Sequence, residues 1–392
     1  MYELELSCNV SNKSEFELLD GYVSWESDKS TYNSITYEDF FNNHLITNLP
    51  CIVKNITSQW ECTKKWIVNN SINYNYFIEH YGDLEAPVAD CNNISYNSHC
   101  KCDMKVSEYI NYLRDPEKSR LLYLKDWHLK KIRPNDRFYS IPKIFGSDWL
   151  NEYAQDNVQD DFMFVYIGPK NSWTPLHVDV YTSYSWSVNV IGKKKWIIFP
   201  PGEEEKLKDS LDNLPMTFDP EKNKNIKYFE VIQEKGDGIF VPSGWYHQVM
   251  NVEDTISINH NWVNACNIQF VWKSLSKTLL SVQNEISEFK ETPEYPIQCQ
   301  LILKSLFGID CESLIKFLCY IGQKRLSLIH NKGQITFEHF SLGLHHIKYD
   351  LKSILNVLNL INNHPIFHNK DSLSSVKCDF MNLKNAIINV LE

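Results

Sequence analysis

Two periodicities divide this chain of 392 residues. Between residues 162 and 262, apolar and polar positions alternate or gather in short apolar runs broken by Gly, Pro, Asn and Asp. That pattern predicts strands over 162–167, 185–191, 195–199, 228–233, 238–241, 246–251 and 255–262, plus one carrying residues 177 and 179. Apolar runs at 49–53 and 121–128 predict two more, while 37–41, 60–66 and 106–113 read as flanking helices. After Trp262 the spacing changes. Ile268, Val271, Leu275, Leu279, Val282, Ile286 and Phe289 recur at three- and four-residue intervals, one face of an amphipathic helix. Asp310 caps a second helix through Leu314, Phe317, Leu318 and Ile321, and Leu351, Ile354, Leu355, Val357 and Leu358 mark a third. The reading is a polar, irregular N-terminal arm (1–40), a strand-rich segment with its flanking elements (41–264) and a helical C-terminal region (265–392).

Many short strands separated by turn residues predict a mainly β fold, and inward-pointing polar candidates narrow it to a double-stranded β-helix of jelly-roll, cupin-like type with flanking helices. An apolar content of 43%, with aromatic residues making up 13% of the chain, is enough for a sizeable core. A net charge of −10 argues against a nucleic-acid partner and is compatible with a basic protein substrate. No apolar run is long enough to predict a membrane span, and the first residues lack the pattern of a signal peptide. Eleven cysteines include no C-x₂-C pair, so a zinc ribbon is not expected. His99-Cys100-Lys101-Cys102 is read as reduced thiols beside a histidine, in keeping with a reducing cytosol or nucleus.

The chemistry concentrates in His177-Val178-Asp179 and His247. Two imidazoles and one carboxylate are the facial triad of non-haem Fe(II) oxygenases, which leaves half the metal's positions open for a cosubstrate and O₂. Alternation along a strand puts His177 and Asp179 on one side, and His247 comes from a distant strand. A lone H-x-D triplet is weak, since surface pairs produce it often. Its surroundings strengthen it: Thr174 precedes it by three residues, Lys194 stands before the apolar run Trp196-Ile197-Ile198-Phe199, and Gly236-Asp237-Gly238 turns into the strand before His247. On a strand, Lys194 would point inward and Lys193 and Lys195 to solvent. His260 alternates away from Asn259 and Asn261 and is expected to face out, and His345 and His346 are expected at the surface.

The pattern from Tyr123 to Trp262 resembles the jumonji-C family of Fe(II)- and 2-oxoglutarate-dependent oxygenases. The resemblance implies that His177, Asp179 and His247 hold iron and that 2-oxoglutarate chelates it. It implies further that Lys194 pairs with the distal carboxylate, helped by the hydroxyls of Thr174 and Tyr123, and that Asn259 and Asn261 contact the cosubstrate. Where some members carry asparagine this chain has Ser187. Ser185-Trp186-Ser187-Val188-Asn189-Val190 and Asp254-Thr255-Ile256-Ser257-Ile258-Asn259-His260-Asn261-Trp262 are similar to a lysyl-hydroxylase branch of the family. That similarity implies hydroxylation at carbon 4 of a lysine in the translation termination (release) factor, in the cytoplasm. Two alternatives stay open: an N-methyl-lysine demethylase, and a cupin-like binding protein without activity, against which the intact triad and lysine argue. The helical region is a candidate docking surface or homodimer contact.

Overall fold

The computed structural model describes residues 1–7, 26, 29–95, 98–210, 213–331, 333–368 and 373–392. Its strands in chain order are β1 (Tyr2–Leu4), β2 (Thr31–Tyr32), β3 (Cys51–Val53), β4 (Ile67–Val68), β5 (Ser71–Ile72), β6 (Glu85–Ser95), β7 (Ser98–Lys105), β8 (Leu122–Trp127) and β9 (Met163–Gly168). They continue with β10 (Trp173–His177), β11 (Tyr184–Ile191), β12 (Lys194–Phe199), β13 (Phe229–Gln233), β14 (Gly238–Val241), β15 (Tyr246–Asn251), β16 (Thr255–Trp262), β17 (Ile335–Phe337) and β18 (Phe340–Leu342). Two sheets build the jelly roll. One runs β10-β15-β12-β13, and the other β2-β3-β14-β11-β16-β9-β8-β6-β7.

Alternation explains how they pack. On β12, Trp196 and Ile198 join Ile52, Val231, Ile239, Val241, Trp245 and Val249 in an apolar layer. Ile197 and Phe199 point the other way, against Leu176 and Phe218. On β11, Trp186, Val188 and Val190 enter the largest apolar core, which leaves Ser185, Ser187 and Asn189 to the opposite, inner face. Each fully buried apolar side chain contributes about 1.5–3 kcal/mol.

The flanking helices α1 (Tyr37–Phe40), α2 (Glu61–Lys65), α3 (Tyr74–Tyr81), α4 (Val106–Arg114), α5 (Leu129–Ile132) and α6 (Trp149–Asp156) precede the jelly roll or lie among its early strands. Among the described residues six more follow it: α7 (Ile268–Glu285), α8 (Tyr295–Phe307), α9 (Cys311–His330), α10 (Leu344–Asn363), α11 (Pro365–His368) and α12 (Lys377–Leu391). The periodic residues Ile268, Val271, Leu275, Leu279 and Val282 are the buried face of α7. Asp310 caps α9, its Oδ1 accepting the Ser313 N–H at 2.7 Å. One apolar core runs unbroken from the back of the large sheet into these helices.

At their junction lies a buried ionic network. The Arg325 guanidinium on α9 donates to both Glu152 oxygens on α6 (2.8 and 2.7 Å) and through Nε to Asp350 on α10 (2.7 Å). Trp149 Nε1 also donates to Asp350 at 3.2 Å, and His346 Nδ1 lies 3.2 Å from its other oxygen. Burial pushes the Asp350 carboxyl up, but His346 and Arg325 outweigh it and hold it below the usual range.

Several expectations need correcting. Leu4 and Leu6 of the polar arm are buried, and β1 pairs in parallel with β18. His346 is buried and bonded to the Tyr37 hydroxyl at 2.7 Å, whereas His345 is exposed. His260 does point away from Asn259 and Asn261, yet it is fully buried, stacked on Trp186 and bonded to Tyr139 at 2.7 Å. Alternation identifies the face of a strand, not what covers it. The hairpin β6–β7 was not expected, and it places His99 and Cys100 on the edge strand of the large sheet.

Candidate metal centre and cosubstrate pocket

His177 ends β10, and its register partner across the antiparallel ladder is His247 on β15. The two rings are 4.3 Å apart between centroids. Asp179 lies beyond the strand end rather than on it, but its extended backbone (φ −65°, ψ 148°) preserves the two-residue alternation that turns it toward His177. Each of the three offers a ligand atom, and these atoms lie within 4.8 Å of one another. Among the described residues, no other His, Cys, Asp and Glu group meets that test.

Hydrogen bonding orients the rings. His177 Nδ1 bonds the Pro175 carbonyl at 2.8 Å and His247 Nδ1 bonds the Trp245 carbonyl at 3.0 Å. A carbonyl only accepts, so Nδ1 carries the proton in both rings and each Nε2 keeps its lone pair for a metal. Burial, reinforced by the charge His247 would carry, pushes His177 down to about 4 and so keeps it a neutral ligand. This donor set fits a divalent iron with open positions.

Asp179 is held from behind. The next residues turn sharply, with Tyr181 (φ 58°) and Thr182 (φ 53°) both left-handed, an uncommon conformation for large side chains. Ser243 Oγ donates to the Thr182 carbonyl at 2.6 Å. The Tyr181 ring packs between Phe162 and Phe307 at centroid distances of 5.6 and 6.2 Å. It also touches Gly308, where a Cβ would sit 2.5 Å from its Cε1.

Lys194, at the start of β12, is 2% exposed and crosses between the sheets to donate to Ser257 Oγ on β16 at 2.6 Å. No carboxylate pairs with it among the described residues, and burial alone pulls it down to about 7. A buried ammonium without an anion requires a ligand that brings one. Lys193 and Lys195 point outward to Glu234 and Glu230 at 3.0 and 2.7 Å. Around Lys194 stand the ring of Tyr166, its centroid 5.7 Å from Nζ, and the buried Tyr123, whose ring meets Tyr166 edge-on at 5.8 Å. Gly168 makes room there, since a Cβ would fall 2.6 Å from the Tyr123 ring.

Asn259 donates to Ser257 Oγ at 3.0 Å, and Asn261 to Ser183 Oγ at 3.2 Å. Ser187 lies opposite Asn259 in the ladder with a buried hydroxyl that has no partner among the described residues. Thr174, half-buried, pairs with Val249 on β15. The inner wall is thus a polar field of hydroxyls and amides between the histidines and Lys194. Sequence reasoning missed Ser257, Tyr166 and Lys125. Each is legible by the two-residue step: Ser257 from Asn259, Lys125 from Tyr123, and Tyr166 within the strand read at 162–167.

The cupin-like domain family matches residues 37–268. The 2-oxoglutarate and iron-dependent oxygenase JMJD4 of Gallus gallus is 40% identical over 368 residues, covering 87% of each chain. Its homologue in Drosophila melanogaster is 37% identical over 375 residues, 85% of this chain and 87% of the relative. The arginine-specific demethylase JMJ20 of Arabidopsis thaliana is 36% identical over 325 residues, 76% of this chain and 70% of the relative. The fold and its paired histidines are those of a cupin-like, jumonji-C protein. Within that class, the chain belongs to the JMJD4-type family of 2-oxoglutarate and iron-dependent oxygenases.

Proposed function

We propose that the protein is an Fe(II)- and 2-oxoglutarate-dependent protein lysyl hydroxylase acting at carbon 4 of a lysine in the translation termination (release) factor, in the cytoplasm. The observation that carries the oxygenase chemistry is the pairing of two oriented histidines with a buried Lys194 that has no anionic partner among the described residues. His177, Asp179 and His247 hold the iron. Iron, 2-oxoglutarate and O₂ together supply the oxidant for an unactivated C–H bond, with succinate and CO₂ as by-products. Lys194 and Ser257 take the distal carboxylate, Tyr123 and Thr174 line its approach, and Asn259 and Asn261 border the cosubstrate. These residues do no acid–base work; they fix one target carbon and exclude others. The helical region supplies a docking or homodimer surface through the exposed Leu280, Ile297, Leu301 and Leu306.

A second reading, N-methyl demethylation, is favoured by one observation: two relatives are named arginine-specific demethylases. The test incubates enzyme, Fe(II), 2-oxoglutarate and labelled O₂ with the release factor, and separately with matched lysine and methyl-lysine peptides. Hydroxylation adds one labelled oxygen to a lysine of the factor. Loss of methyl groups without that label would overturn the hydroxylase reading, and succinate formed only with another protein would overturn the substrate.

A further inference from the structure

β15 carries His247, Val249 and Asn251 at two-residue steps, and their register partners on β12 are Ile198, Trp196 and Lys194. Asn251 therefore stands beside Lys194 on the face that holds His247, and it is 1% exposed. Its backbone is fully engaged. The N–H donates to the Ser172 carbonyl at 2.8 Å, and the carbonyl accepts the Asn171 N–H at 2.7 Å. The side-chain nitrogen donates to Ser172 Oγ at 2.8 Å. That orientation is forced, because Ser172 Oγ gives its only proton to the Pro169 carbonyl at 2.6 Å and can only accept from Asn251. Asn251 Oδ1 is left buried, with no partner among the described residues. A Cβ on Gly168 would fall 2.5 Å from Asn251 Nδ2 and 2.6 Å from the Tyr123 ring, so the amide and the ring converge on the notch that this glycine leaves open.

A buried acceptor is costly unless a donor meets it, and Val249 one step earlier fills the same face with an apolar side chain. 2-Oxoglutarate is not that donor, since at neutral pH it presents only carboxylate and keto oxygens. The Lys194 ammonium has three N–H groups. One goes to Ser257, and one, in the reading above, to the distal carboxylate. The third is unassigned, and the cross-strand neighbour of Lys194 offers the unmet acceptor.

We infer that Asn251 is a positioning residue: with cosubstrate bound, its amide oxygen takes the third N–H of Lys194 and fixes where the ammonium meets the distal carboxylate. This rests on the reading of Lys194 as the cosubstrate's cation. A leucine in its place removes the acceptor at similar volume. An aspartate pairs with Lys194 itself and competes with the carboxylate of the ligand.

The experiment loads the full-length protein with Mn(II) under nitrogen and measures binding by calorimetry. The ligands are 2-oxoglutarate and 2-oxopentanoate, which keeps the chain length and the chelating end but lacks the distal carboxylate. The wild type binds 2-oxoglutarate about tenfold tighter or more. Asn251→Leu lowers the affinity for 2-oxoglutarate about tenfold and changes that for 2-oxopentanoate less than about threefold. Asn251→Asp, which is isosteric and disturbs packing least, gives the same split. Unchanged 2-oxoglutarate affinity in Asn251→Leu, or equal losses for both ligands in both variants, overturns the inference and leaves the reading of Lys194 intact. A wild type that binds the two ligands equally overturns that reading and the inference with it.

Discussion

Replacing Arg325 with methionine tests how the helical region is fastened to the jelly roll. The substitution keeps most of the aliphatic stem but removes the guanidinium, which makes three hydrogen bonds at 2.7–2.8 Å to Glu152 and Asp350. Those carboxylates are 1% and 0% exposed, so water cannot replace the lost donors. Removing one partner of a buried pair costs about 3–5 kcal/mol. Two carboxylates are stranded, which taken alone suggests twice that. However, Glu152 keeps Lys324 at 2.8 Å, and Asp350 keeps Trp149 and His346. The single-pair figure, about 4 kcal/mol, is therefore the expected loss. Against a total stability of about 5–15 kcal/mol this is a large fraction. Urea denaturation read by far-ultraviolet circular dichroism should show a lower midpoint at similar slope. Arg325→Lys should recover less than half, because an ammonium cannot fork onto two carboxylates. Combining Arg325→Met with Glu152→Gln should cost less than the sum of the single changes. A loss below 1 kcal/mol for Arg325→Met, or strict additivity of the pair, would refute the argument that the network holds the junction.

Lys194→Ala should raise the KM for 2-oxoglutarate at least tenfold with metal affinity little changed, while Lys193→Ala, which loses only an outward pair with Glu234, should leave KM where it was. Equal effects of the two would mean that the strand register is wrong. The second prediction concerns pH: because burial pulls Lys194 down to about 7, it is largely neutral above that pH and must take up a proton to pair with a dicarboxylate. Affinity for 2-oxoglutarate should weaken, by up to about tenfold per pH unit, as pH rises above 7, and calorimetry in buffers of different ionisation heat should show proton uptake at pH 8; a pH-independent affinity would count against it.

What was legible in the chain follows from the range of each signal. His177, Asp179, Lys194 and Asn259 are marked by alternation within a few residues, and the fold keeps that alternation because one face of each strand is packed. Asp179 kept its orientation although the strand stops before it, since extended backbone is enough. The β6–β7 hairpin was not legible. Its polar segment Asn92-Asn93 and the edge residues Cys100, Lys101 and Cys102 are at least partly exposed, so no apolar period marks the pairing. His346 was expected at the surface, and nothing in the sequence singles out Arg325 or Asp350. Only the distant α6 makes their burial tolerable, and no local pattern encodes a partner 173 residues away, as Glu152 is from Arg325. The two-residue step from Tyr123 marks the face of Lys125, but a lysine after Leu124 reads as solvent-facing until the cover over that face is known.

The turn behind Asp179 bears on where the working unit ends. The family match stops at residue 268, but the wall against the Tyr181 ring is made by Phe307 and Gly308, well beyond that boundary. Two consecutive left-handed residues store strain that the surroundings must hold down. The end of α8 acts as the outer jaw of a clamp whose inner jaw is Phe162 on the jelly roll. A fragment cut at the family boundary would retain all three proposed metal ligands and yet lose half the grip on one of them. In sequence comparisons, positions 307 and 308 accordingly belong with the iron site, even though neither can touch a metal.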